Sequence, residues 1–332
     1  MSLTIYPFSS PHHLKQTQRE SHQRELRWII GEIRESLQEL KYGLEDCYAL
    51  LAPIEPGSTL VMSTPRNEKV KGTVTRIGSH IVKGTLHLQL STQQVQVLAI
   101  NTSKPICIRP LMEIQQSLSD AVKLLEITLD NESTPETLFA QLRVLTQLMF
   151  DASANLKGNE MHSRPPTPGS ASAAMPPCDT TWTTMSVASN AFNPHINSSL
   201  SVHITLQDSC IILWLRALEP VDAPVLFGTK IGLAIGTVRR LEHDEMDKPF
   251  KYTFNRDESA IQQTALLGRR YAAPLSGTKP VDVFVREKVR VESADPNLMS
   301  LQAKLSSLHH TIIELRQNLS VVMGAECDDE GM

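Results

Sequence analysis

Residues 26–51 read LRWIIGEIRESLQELKYGLEDCYALL, and the spacing of their apolar positions decides the fold. Leu26, Ile30, Ile33, Leu37, Leu40, Leu44, Cys47 and Leu51 recur in alternating steps of four and three. A mean repeat of about 3.5 residues is the seam of a helix packed lengthwise on other helices. Glu32, Arg34, Glu35, Glu39, Lys41 and Glu45 lie between the seam positions and form a solvated face. Gly31 and Gly43 interrupt the helix, each at a cost of about 1 kcal/mol relative to Ala. Pro53 and Pro56-Gly57 end it.

Three further stretches repeat the pattern. The first opens at Pro110 and runs through Leu111, Ile114, Leu118, Ala121 and Leu125. The next has Thr134 as N-cap and Pro135 in the first turn, with a seam of Leu138, Leu142, Leu145, Met149, Ala152 and Leu156. The last follows Asp295-Pro296 and runs Leu298, Leu301, Leu305, Leu308, Ile312, Leu315, Leu319 and Val322 to a stop at Gly324. Four such helices in one chain most simply bury one another.

Elsewhere the period falls to two. Val70–Ile77, Val82–Leu90 and Val95–Ala99 predict an antiparallel meander. Leu200–Leu206 alternates, Gln207-Asp208-Ser209 turns, and Cys210–Leu218 is apolar on both faces, as a central strand requires. Val281–Val291 alternates again.

The expected architecture is therefore α+β, an elongated two-domain protein. An antiparallel four-helix bundle takes 18–52, 110–157 and 296–324, with its first and last helices from the chain ends. A mostly antiparallel β domain takes 60–108 and 198–292. Residues 158–197, rich in Pro, Ser and Ala, are expected as a disordered linker, and 1–17 and 325–332 as flexible tails. Residues 240–280 look like an exposed insertion.

Composition narrows the function. The chain has 332 residues, 41% of them hydrophobic, 20% charged and 5% aromatic, so it can bury a core built mainly of aliphatic side chains. A net charge of −4 argues against a protein held to nucleic acid by phosphate contacts. No apolar run approaches the about 20 residues that a membrane helix needs, and residues 1–13 lack the apolar core of a signal peptide. Cys47, Cys107, Cys178, Cys210 and Cys327 are scattered without a Cys-x-x-Cys pair, which fits a reduced cytosolic protein with neither zinc nor disulfides.

No catalytic motif is present. Gly78–Thr85 has the wrong spacing for a phosphate loop and lies in a strand pattern. The run His243, Asp244, Glu245, Asp247 has metal-capable side chains, but adjacent residues cannot all face one ion from regular structure. His309 and His310 point about 100° apart on a helix and make a poor zinc pair. Cys210 reads as a small core residue, and Trp28 and Trp214 as core aromatics. Trp182, in the linker, could anchor a partner, and Thr167-Pro168 could be phosphorylated. No catalytic, cofactor or metal residues are expected, no cofactor is implied, and the partner-binding residues are unknown.

Three segments carry a resemblance. Glu25-Leu26-Arg27-Trp28-Ile29-Ile30-Gly31-Glu32-Ile33 leads into the long helix. Val70-Lys71-Gly72-Thr73-Val74-Thr75 precedes Gly78 and Leu86, Leu88 and Leu90. Phe192-Asn193-Pro194 precedes Ser199–Ile204 and then Leu213–Pro220. In order and spacing these are similar to the Rogdi family, which includes the smaller second subunit of the fungal RAVE complex. The resemblance implies a non-enzymatic subunit that promotes assembly of the vacuolar proton-pumping ATPase from its peripheral and membrane sectors. It implies a large propeller-containing RAVE subunit and peripheral-sector pump subunits as partners. It implies a cytoplasmic protein recruited peripherally to vacuolar or endosomal membranes. The alternative is a self-associating leucine-zipper adaptor in membrane trafficking.

Overall fold

The computed structural model describes residues 10–52, 54–65, 68–131, 133–158, 180–221, 248–254 and 280–324. Backbone proximity divides the chain into two compact units, one of Met1–Leu50, Glu113–Ala154 and Ser300–Met332, the other of Leu51–Met112 and Asn155–Met299. Five helices are described: α1 (Pro11–Leu50), α2 (Arg109–Asp130), α3 (Pro135–Lys157), the short α4 (Thr181–Met185) and α5 (Pro296–Met323).

The seams are buried. Ile33, Leu37, Leu44 and Cys47 of α1 are at 0% exposure, as are Leu111, Ile114 and Leu118 of α2 and Leu301, Leu305 and Ile312 of α5. Lys41 pairs with Glu126 at 3.0 Å, and Gln115 Nε2 donates to Tyr48 Oη, which sets α1 against α2. Lys304 pairs with Asp46 at 3.0 Å and Leu308 crowds Gly43, which sets α1 against α5.

The helices are nevertheless not arranged as the expected four-helix bundle. Sustained backbone approach belongs to the strands, and the long helices come within 8 Å of one another at isolated positions at most. A repeat of about 3.5 records that a stripe is buried, and it does not record how many helices share the burial. The lengths differ too: α1 has 40 residues, against 22 for α2 and 23 for α3. Residues 11–25 of α1 are exposed, and the helix begins at Pro11, inside the stretch expected as a tail.

The second unit holds two antiparallel sheets. The first is ordered β1 (Ser58–Ser63), β2 (Val70–Ile77), β3 (His80–Leu88), β4 (Gln96–Ile100) and β6 (Phe192–Asn193), with β5 (Ile106–Cys107) on β3. The second is ordered β7 (Leu200–Gln207), β8 (Cys210–Pro220), β10 (Val281–Ala294) and β9 (Phe250–Tyr252). Alternation turns one face of each sheet inward. Met62, Val74, Leu86 and Phe192 of the first meet Ile204 and Leu213 of the second. A side chain at Gly72 would put its Cβ 1.9 Å from the Thr85 carbonyl oxygen, so the close β2–β3 approach demands glycine there.

Local chemistry sets the joints. Thr134 Oγ1 accepts the Thr137 N–H and caps α3. The β7–β8 hairpin turns at Asp208 and Ser209, both at positive φ, in a tight two-residue turn. Their N–H groups donate to the carbonyls of Lys157 and Leu156, satisfying the last turn of α3. Within the stretch expected as a linker, residues 180–197 carry α4 (Thr181–Met185) and β6 (Phe192–Asn193). The remainder of that linker, most of 240–280, and the tail from 325 lie outside the described residues.

Candidate functional site

The structure exchanges the roles expected for two tryptophans. Trp28, read as core, is 63% exposed on α1. Trp182, read as an exposed anchor, is at 0% exposure. Its ring packs on Phe250 at 5.4 Å and on Tyr252 at 5.7 Å between centroids, so α4 is held down by β9. Arg216 lies over the Trp182 ring at 4.8 Å and over Trp214 at 5.3 Å. Trp214 is half-buried and also carries Lys288 Nζ 4.5 Å from its ring centre. A buried aromatic held by a segment of low complexity leaves no periodic signal, which is why sequence reasoning missed it.

Two ion pairs, one buried and one half-buried, tie distant segments of the β unit. Arg76 Nε donates to Asp295 Oδ2 at 2.7 Å, with side chains 3% and 0% exposed. Arg76 also donates to the Gly78 carbonyl, and Asp295 Oδ1 accepts the Asn297 N–H at the start of α5. Glu287 sits where the β8–β10 register shifts and accepts from Lys69, Ser91 Oγ, and the N–H and hydroxyl of Thr92. Burial alone would raise the Glu287 pKa, but the Lys69 ammonium and the Thr92 donors outweigh it and hold the carboxyl below its usual range. These are structural clasps between strands.

The other expected residues stay apart. His310 and Glu314 lie 3.2 Å apart on the exposed face of α5, and His309 is half-buried beside them. Burial pushes the half-buried Cys210 thiol up, and it pushes buried Cys47 to about 11, so neither is a thiolate near neutrality. Gly78–Thr85 forms the β2–β3 hairpin, with Gly78 at φ +59°. His243–Asp247 and Thr167-Pro168 lie outside the described residues. Among the described residues, no three His, Cys, Asp or Glu side chains converge as a metal site, and no helix is long and apolar enough to cross a membrane.

One cavity of about 510 Å³ opens in the β unit, between the loop after α4 and the end of β9. Ser186, Asn190, His195, Asn197, Tyr252 and Phe254 line it. Tyr252 Oη donates to Ser186 Oγ at 2.9 Å. The described lining has one imidazole and no carboxylate, thiol or cationic side chain. It offers neutral hydrogen bonds, one imidazole and aromatic faces to a bound group.

The family model for the Rogdi leucine zipper containing protein matches residues 25–320. No curated protein matches the chain. The chain belongs to the Rogdi leucine zipper family.

Proposed function

We propose that this Rogdi family member is a non-enzymatic subunit of the RAVE complex. It promotes assembly and reassembly of the vacuolar proton-pumping ATPase from its peripheral and membrane sectors. The observation that carries this reading is the family match over 25–320, which takes in both the helical and the β segments. The Arg76–Asp295 and Lys69–Glu287 clasps are consistent with a rigid docking frame. On this reading the direct partner is the large propeller-containing RAVE subunit, with peripheral-sector pump subunits beyond it. The protein acts from the cytoplasm and reaches vacuolar or endosomal membranes through those partners.

Self-association through the leucine seams is the weaker reading, because Ile33, Leu37, Leu40 and Leu44 are already buried within one chain at 0–2% exposure. Affinity purification of the tagged chain from its own cells, with quantitative mass spectrometry, tests the proposal. Co-purification of a propeller subunit and of peripheral-sector subunits is expected. Recovery of neither would overturn it.

A further inference from the structure

Three features on the outer side of α1 work against this chain's own stability, and they fall together. At about 100° per residue, Trp28, Gly31, Glu35 and Tyr42 lie within about 60° of one another, opposite the buried seam, with Glu32 and Glu39 along one border. Trp28 and Tyr42 are 63% and 62% exposed. Glu32, Glu35 and Glu39 are also exposed, and none has an ion-pair partner among the described residues. Their spacings of three and four set like charges side by side on the helix. On α1 itself Lys41 is engaged by Glu126, and the exposed Arg27 and Arg24 lie one and two turns N-terminal to Gly31.

Gly31 is the independent observation. A Cβ built there meets nothing within 4 Å, whereas at Gly43 it would meet Leu308 Cδ2 at 2.7 Å. Internal packing therefore explains the second glycine and not the first. A helix-weakening residue with open space above it, between an exposed Trp and repelling carboxylates, satisfies a demand from outside the chain. Local rules fail together where function requires it.

We infer that this stripe docks a basic amphipathic helix of another protein, which crosses α1 at Gly31. Cationic side chains would meet Glu32, Glu35 and Glu39, and Trp28 and Tyr42 would anchor the ends about 21 Å apart. The carboxylates repel phosphate, which disfavours nucleic acid and anionic membrane. A second copy of this chain fits poorly. An antiparallel crossing at Gly31 would set Glu35 against Arg27, but it would leave Glu39 against Gln23, Glu32 against Ile30 and Tyr42 against Glu20. This inference holds whether or not the partner belongs to the pump-assembly complex.

The test places p-benzoylphenylalanine at position 42 of the full chain in its own cells. The cross-linked peptide is sequenced, synthesised with a fluorophore, and titrated against purified full-length protein. A peptide of net positive charge from another protein is expected. Its Kd should rise at least tenfold with the double variant Glu35→Gln/Glu39→Gln, and at least tenfold with Gly31→Leu. Both variants should melt no lower than wild type, which separates docking from folding. The inference is overturned by a neutral or acidic peptide, by a peptide from this chain, by no cross-link, or by variants that bind within twofold of wild type.

Discussion

Replacing Asp295 with Ala probes the junction between β10 and α5. The carboxylate is at 0% exposure and meets Arg76 at 2.7 Å. Its loss strands a nearly buried guanidinium, which costs about 3–5 kcal/mol when one partner of a buried pair is removed. The Asn297 N–H loses its acceptor as well, worth about 1 kcal/mol for a helix start. The Gly78 carbonyl still accepts from Arg76, which places the total toward the lower end, about 4 kcal/mol. For a unit of this size, about 2–4 °C accompanies each kcal/mol, so the melting temperature should fall by about 8–16 °C. Thermal unfolding of the purified chain, followed by tryptophan fluorescence, reads this directly. Arg76→Met with Asp295→Leu should recover most of the loss, because an apolar pair leaves no charge unmatched. A single variant melting within about 2 °C of wild type, or a double variant no better than the single, would refute the buried-pair reasoning.

Three other outcomes are expected. Trp182→Ala empties a site walled by Phe250, Tyr252 and Arg216, and should cost about 3–5 kcal/mol in urea unfolding together with loss of near-ultraviolet dichroism. Glu287→Gln should cost about 2–3 kcal/mol at neutral pH. The folded carboxyl titrates below its unfolded value, so its stabilisation is full above about pH 4.3 and fades as acid protonates the folded form. The Gln variant should accordingly show a shallower loss of stability below about pH 5 than wild type. Cys47, buried and with its thiol pushed to about 11, should resist iodoacetamide at pH 7 in the native protein and react only on unfolding, as peptide mapping would show.

Much of the β unit was legible because a strand writes its burial either every second residue or, when central, as a continuous apolar run. Val70–Ile77 and Leu200–Gln207 fall where alternation places them, Cys210–Pro220 falls where a run apolar on both faces places a central strand, and the Asp208-Ser209 turn is readable from its residue types. Helix starts were legible for the same local reason, at Pro135 and Pro296. Helix arrangement was not, since a seam such as Leu138 to Leu156 marks a buried face and says nothing about its neighbours. The ion pairs were hidden by separation along the chain: Arg76 and Asp295 look like ordinary charges until β2 and β10 are placed. Trp28 misled because it stands one position from the apolar Ile29 and two from Ile30, while its own angle on the helix points to solvent.

Reassociation of the pump gives the most direct test of the proposed role. Peripheral and membrane sectors would be dissociated reversibly in cells lacking this chain, and the peripheral sector on isolated vacuolar membranes then quantified during recovery. The proposal predicts a marked shortfall that re-expression of the full chain restores. Recovery at the wild-type rate and extent without the chain would contradict it.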